Sequence, residues 1–300
     1  WMSTYGGGLN LVASNDGHQI QTIRLDNSAP FGLLYNDLKP LLRDRSGWLW
    51  IGTWGMGLQR LNIENRAIST LKYSSNRSTG LSYPDVSSIL ELQDGRLLVG
   101  TSGNGIDIID RQRGLIGGYR QVGGNRTSRN EGRDREESYS LPDRVIPALA
   151  QTNDGSIWAG TQESGLVRLR PGSNTWEKIT GLPDPQVRRL MVASDHSLWI
   201  GTDHGAARWR SGNSAEMITD EQGKTLVITV FAIAEDKHKR IWLGSDQGLW
   251  VQEPGRSGMR RHLCGDRPVW CGHHGVAHRL SQGTGGGDRR VGLAGHHWQR

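Results

Sequence analysis

One short strand, led by a large apolar residue and closed by Gly-Thr or Gly-Ser, returns along this chain and limits what it can fold into. It reads Trp50-Ile-Gly-Thr53, and aligning on it gives Trp1-Met-Ser-Thr4, Leu98-Val-Gly-Thr101, Trp158-Ala-Gly-Thr161, Trp199-Ile-Gly-Thr202 and Trp242-Leu-Gly-Ser245. The copies begin at 1, 50, 98, 158, 199 and 242, in steps of 49, 48, 60, 41 and 43 residues. A period of roughly 40 to 50 residues with about four short strands per unit is that of β-propeller blades. Helical solenoids share the period, but their apolar spacing of three and four is missing here.

Each copy sits in the same local setting. Asp44 to Gly47 supplies turn chemistry, Trp48 to Thr53 an aromatic and branched strand, Trp54 to Gly57 a second turn, and Leu58 to Leu61 a returning strand. The first turn recurs at Asp94-Gly95 and Asp154-Gly155 and degenerates at Asp195-His196 and Asp236-Lys237. Asp44, Asp94, Asp154 and Asp195 therefore read as one periodic turn residue, which argues against a hydrolytic role for them. Tyr83-Pro-Asp85, Leu141-Pro-Asp143 and Leu182-Pro-Asp184 each precede an expected inner strand, where proline suits a lead-in that donates to no ladder. Val86 to Leu92 is one such strand, and the apolar run Leu226 to Ala234 reads as another, buried on both faces. That run is far short of the ~18 residues a membrane span needs.

The expected fold class is all-β, a β-propeller of four-stranded antiparallel blades, with about five full in-frame blades and a partial first blade. Glycine, at 42 of 300 residues, is about twice its usual ~7%, as a chain turning every few residues requires. Of twelve Trp, four (Trp50, Trp158, Trp199 and Trp242) occupy one column, and they are expected to wedge between neighbouring blades. Residues 120 to 140 hold one Val and one Tyr and no other sizeable apolar residue, so they are expected to form a mobile surface loop.

The domain boundary is drawn at Gly255, with a propeller over 1–255 and a non-propeller tail over 256–300. The tail holds both cysteines, six of ten His, and eight Arg against Asp266 and Asp288, which leaves 28 basic and 28 acidic side chains in residues 1–255. The net charge of +6 is thus the tail's, and a neutral propeller gives no reason to expect nucleic acid as a partner. Cys264, Cys271, His273, His274 and His278 are metal-ligand types, but their spacing matches no standard zinc pattern, so no metal and no cofactor is expected. Read one base later, codons for Leu293-Ala-Gly-His-His297 can encode Trp-Leu-Gly-Thr. The tail is therefore expected to be an out-of-frame translation of a further blade, or a disordered segment.

The repeat, with inner strand, Asp-x-x-Gly or Asp-Gly turn, Leu/Ile-Trp-x-Gly-Thr strand and following Gly-Leu, resembles the two-component regulator propeller repeat over residues 1 to 254. The resemblance implies an extracytoplasmic sensor in a membrane-bound histidine kinase, hybrid two-component protein or diguanylate cyclase. On that reading the chain is a ligand-sensing fragment in the periplasmic or extracytoplasmic part of an inner-membrane protein. The kinase or cyclase and the membrane helix would lie in absent segments, and the receptor would act as a homodimer. A small molecule or oligosaccharide would enter at the face shared by the lead-in loops and the Thr-x-x-Gly turns. Candidate ligand residues on that face are Tyr5, Trp54, Asp85, Asp143, Gln162, Asp184, His204 and Gln247. No catalytic constellation is evident, so the fragment itself is expected not to be an enzyme. The alternatives are a propeller glycoside hydrolase or lyase, and a protein-interaction platform.

Overall fold

The computed structural model describes residues 1–13, 19–26, 32–74, 80–121 and 140–262. The expected mobile loop falls almost wholly on 122–139 and the proposed tail mostly on 263–300, both outside the described residues.

The described chain is all-β, and its strands form six sheets. The first has three strands, β1 (Met2–Thr4), β2 (Gly8–Val12) and β3 (Gln19–Ile23). The second has β4 (Leu38–Arg43), β5 (Leu49–Thr53), β6 (Leu58–Leu61) and β7 (Ile68–Leu71). β8 (Val86–Glu91), β9 (Leu97–Thr101), β10 (Ile106–Asp110) and β11 (Gly114–Gln121) form the third, to which β12 (Ser140–Leu141) adds a parallel fifth strand. The fourth is β13 (Ala148–Gln151), β14 (Ile157–Gly160), β15 (Leu166–Leu169) and β16 (Trp176–Ile179). The fifth is β17 (Val187–Val192), β18 (Leu198–Thr202), β19 (Gly205–Trp209) and β20 (Glu216–Met217). The sixth is β21 (Val230–Glu235), β22 (Ile241–Ser245), β23 (Gly248–Gln252) and β24 (Arg260–His262). Within every sheet neighbouring strands follow sequence order, and the fold is a β-propeller of antiparallel blades. Two compact units divide it: one holds the described residues of Lys39–Thr180 with Pro185–Val187, the other the remainder.

The recurrent tetrapeptide is the second strand of each blade, and each of its positions has a separate physical task. The lead residue packs forward against the next sheet. Trp50 lies with Val86, Leu97 and Val99, and Trp199 with Val230, Ile233 and Leu243. Trp50 and Trp199 thus pack between adjoining sheets; Trp158 and Trp199 are fully buried, whereas Trp242 is half-buried and meets His262 of its own sheet edge-on at 5.2 Å. An arginine lies over each of these indoles: Arg60 over Trp50, Arg168 over Trp158, Arg208 over Trp199 and Arg240 over Trp242, at 5.9, 5.3, 5.4 and 5.1 Å. The first three are the cross-strand partners of their tryptophans, and the place opposite Leu98 is taken by Ile108. Where the lead residue has no π face, its partner carries no charge.

The glycine of the tetrapeptide is a seat for the next blade. A Cβ on Gly52 would come within 2.8 Å of Val86 Cγ1, and one on Gly160 or Gly201 within 2.5 Å of Val187 or Val230 Cγ1. The closing Thr or Ser clamps the turn that follows. Thr53, Thr101, Thr161, Thr202 and Ser245 donate Oγ–H to the carbonyls of Gly57, Gly105, Gly165, Gly205 and Gly248 at 2.7 to 2.9 Å.

The opposite turns show a register different from the sequence alignment. The N–H of residue i takes the carbonyl of i+4, with i at Asp44, Leu92, Thr152, Ala193 and Asp236. Asp94, Asp154 and Asp195 stand at i+2 of their turns, so Asp44 and Asp236 belong to a separate column. Position i+3 has positive φ and is Gly47, Gly95 or Gly155, then His196 and Lys239 at 66° and 65°. The Asp236 turn therefore bends at Lys239 and not at Lys237. Both aspartate positions work because a carboxylate at i or at i+2 can reach the N–H of i+4. Asp44 and Asp236 do so at 3.0 Å, and Asp94, Asp154 and Asp195 at 3.0 to 3.1 Å.

Two further expectations shift. The run Leu226 to Ala234 is not one strand, because β21 begins at Val230. Leu226 and Ile228 are buried while Val227 is exposed, and the Thr229 amide and carbonyl are held by Asp246 of the next turn. At the other end, Met259 is buried and Arg260–His262 pairs with β23, so the boundary drawn at Gly255 falls before the last strand of this sheet.

Candidate functional site

The lead-in segments and the Thr-x-x-Gly turns meet at one end of the sheets, opposite the aspartate turns. In the third and fourth blades the turn is tied to two lead-ins. In the third blade the Ser102 N–H donates to the Asp85 carbonyl of its own lead-in, and the Gly105 N–H to the Arg144 carbonyl of the next. In the fourth, Gln162 N–H donates to Val145 O and Gly165 N–H to Pro185 O. Backbone hydrogen bonds thus hold these loops still, as a recognition surface requires.

In the unit containing the second to fourth blades, Trp54 and Asp85 are brought together by a residue the sequence reading did not single out. Lys39, the second residue of β4, places its Nζ 2.9 and 3.1 Å from the two Asp85 oxygens and 4.2 Å from the centre of the Trp54 ring. Trp54 is 51% exposed, and Met56 beside it in the same turn is 45% exposed. Asp143 is buried, and its carboxylate accepts the N–H of Val145 at 3.1 Å and of Glu163 at 2.8 Å. It therefore braces the turn from within, while Gln162 is exposed on it.

In the other unit, Asp184 and His204 meet directly, with His204 Nδ1 2.7 Å from Asp184 Oδ2 and the imidazole 65% exposed. Next to them Arg188, the second residue of β17, pairs with Asp203 through Nε and, at 3.1 Å, Nη2, and lies 5.8 Å from the Phe231 ring. Burial lowers the pKa of the Arg188 guanidinium, and Asp184 works against that shift. Gln247 donates to the Val227 carbonyl at 2.9 Å and so ties its turn to the lead-in. Tyr5 is 61% exposed; near it the Asp37 carboxylate raises the pKa of the Tyr35 hydroxyl by its charge and by a hydrogen bond.

Lys39, Arg188 and Phe231 share one position, second in an inner strand, after a branched or leucine residue that packs inward. In β21 that position falls at a register shift between Val230 and Ala232, and its recurrence just after the packed residue was the signal available in the sequence. Among the described residues no three His, Cys, Asp or Glu side chains gather to hold a metal ion, and no helix is long and apolar enough to cross a membrane.

Residues 140–163 match the family described as two component regulator propeller. No curated protein sequence matches the chain. Among solved structures it resembles the extracellular domain of the hybrid two component system BT4673 from B. thetaiotaomicron, with a TM-score of 0.68 at 18% identity over 88% of this chain and 35% of that one. It also resembles PorZ, a surface component of the type-IX secretion system of Porphyromonas gingivalis (TM-score 0.55, 17% identity, 81% and 36% covered). Virginiamycin B lyase from Staphylococcus aureus gives 0.53 at 12% identity, with 75% and 69% covered. The chain spans about a third of the length of the first two, and at these identities the likeness is one of fold. The matched segment 140–163 runs from a Leu-Pro-Asp lead-in through an inner strand and an Asp-Gly turn to Trp-x-Gly-Thr. It is one copy of a unit repeated along the described chain, so the match identifies a two component regulator propeller repeat at residues 140–163.

Proposed function

We propose that this propeller is the ligand-recognising part of an extracytoplasmic sensor, and that a small molecule or oligosaccharide meets it at the end built from the Thr-x-x-Gly turns. The observation that carries the reading is the Trp54 ring, half exposed at that end with Lys39 over it and Asp85 holding Lys39 in place. An indole face beside a fixed ion pair offers a sugar both an apolar platform and hydrogen-bonding groups. The fold likeness to an extracellular domain of a hybrid two component system supports placement outside the cytoplasm; on this reading output passes through a kinase or cyclase elsewhere in the receptor, with dimer rearrangement carrying the signal.

The test is a thermal-shift screen of oligosaccharides on the purified chain, followed by calorimetry of each hit on Trp54→Ala. A hit whose affinity falls at least about tenfold in that variant supports the reading, that being the ~1.4 kcal/mol or more expected of a stacked aromatic anchor. A hit that binds Trp54→Ala as it binds the wild type, or a screen with no hit, overturns it.

A second reading rests on His204. An exposed imidazole oriented by a carboxylate at 2.7 Å is the arrangement of a general base, and one fold relative is a lyase. Turnover of a polysaccharide that disappears in His204→Ala would favour a propeller lyase; binding without turnover favours the sensor.

A further inference from the structure

Arg189 carries a charge that its structural task does not need. Two residues after the packed residue of each inner strand stand Pro40, Ser88, Ala148, Arg189 and Ala232. Ser88 ties its blade to the next through a neutral hydroxyl, donating to the Ile146 carbonyl at 2.7 Å. Arg189 makes a comparable tie, with Nε donating to the Phe231 carbonyl at 2.8 Å and Nη1 to the Arg188 carbonyl at 2.7 Å. The other inner strands do without a cation at this place.

The charge is also uncompensated. Asp203 is engaged by Arg188, and Asp184 by His204. Among the described residues no carboxylate pairs with Arg189, whose bonds go to carbonyl oxygens alone. Its side chain is half-buried, and burial first and the neighbouring Arg188 second push its pKa down. A half-buried cation beside a second cation, with donors left over on its fork, favours an anion.

We propose that Arg189, with Arg188 next to it, binds an oxyanion group, a carboxylate, sulfate or phosphate, whether as a free ion or as a substituent of a sugar. The Trp54 platform belongs to the other compact unit and uses none of these residues, so either proposal can fail alone.

The experiment is calorimetry on the full chain at fixed ionic strength with four probes: sodium sulfate, sodium phosphate, sodium galacturonate and, as neutral control, galactose. Saturable binding of at least one anionic probe and none of galactose is expected. Arg189→Gln should weaken that binding at least about tenfold, the usual size of a lost charge-assisted pair, and Arg210→Gln, at an exposed pair with Glu216, should leave it unchanged. Sulfate or phosphate binding alone assigns the site to a free ion; tighter binding of galacturonate assigns it to an acidic sugar. Should Arg189→Gln not fold, phenylglyoxal modification of the wild type decides: the anionic probe must slow modification at Arg189 and not at Arg210. No saturable binding of any anionic probe, equal loss in Arg210→Gln, or unprotected Arg189 overturns the proposal.

Discussion

The carboxylate of Asp44 accepts the indole N–H of Trp50 at 2.8 Å, across six residues of chain. The same spacing joins Asp236 to Trp242 at 2.9 Å and Thr152 to Trp158 at 2.9 Å. Where the lead residue is Leu98, which has nothing to donate, the sixth residue before it is Leu92. Ala193 breaks the pattern, and the Trp199 N–H is buried without an acceptor among the described residues. A buried donor left unpaired costs about 1–3 kcal/mol.

Ala193→Thr should therefore stabilise the protein, because a hydroxyl at that place does for Trp158 what Trp199 lacks. A gain of about 0.5–1.5 kcal/mol is expected from one satisfied bond. Asp44→Ala should cost about 1–3 kcal/mol by stranding the Trp50 donor, and Arg111, 3.2 Å from Asp44, loses a partner with it. Urea midpoints of the two variants check both signs; an unstable Ala193→Thr would show that the core around Trp199 has no room for two more atoms.

Gly201→Ala should destabilise by about 1–3 kcal/mol, since the added methyl would meet Val230 at 2.5 Å. The cost belongs to the pair and not to the backbone. Val230→Ala in the same chain should recover part of it, and a double-mutant cycle measured by chemical unfolding would show a coupling of about 0.5 kcal/mol or more.

The blade strands and turns were legible because every task in them uses a distinctive residue: Trp to fill, Gly to leave space, Thr to clamp, Asp to cap. The turn register was not, because an aspartate at the first or the third position of the turn can satisfy the same N–H, and a repeated Asp does not say which position it holds. The start of β21 was hidden by Leu226 and Ile228, which are apolar because they are buried, although they lie before the strand. At the candidate site, Trp54, Asp85, Asp184 and His204 were visible as loop residues. Lys39 and Arg188 were not, because each sits inside a strand, and only the assembled sheets show that it reaches a carboxylate outside that strand.

Acid should weaken the aspartate turns together. The pKa of Asp94 is held below the usual carboxylate value chiefly by the side-chain hydrogen bond from Arg96. At Asp154, Asp195 and Asp236 burial pushes the other way, but hydrogen bonds from Thr152 and Ser156, from Ser197, and from Trp242 and Arg240 outweigh it, and all three are lowered. A carboxylate whose pKa is depressed on folding contributes stability that is complete above its unfolded value of about 4 and is lost as pH falls through the folded one. Urea midpoints should thus be level near neutrality and drop below about pH 4, and Asp236→Asn, which cannot titrate there, should show a shallower drop.

Asp143 and Trp54 sit at the same end of their blades and should respond in opposite ways to truncation. Both Asp143 oxygens are occupied by backbone N–H groups of Val145 and Glu163, so Asp143→Ala removes two acceptors from a buried place and should cost about 1–3 kcal/mol. Asp143→Asn keeps one acceptor and should cost less. Trp54→Ala removes a half-exposed ring and should change stability by less than about 1 kcal/mol, in the range of a surface cation–π contact with Lys39. Differential scanning calorimetry of the three variants separates the residue that builds the surface from the one that presents it. If Trp54→Ala unfolded as readily as Asp143→Ala, the indole would be part of the scaffold, and the platform proposed for a ligand would lose its main support.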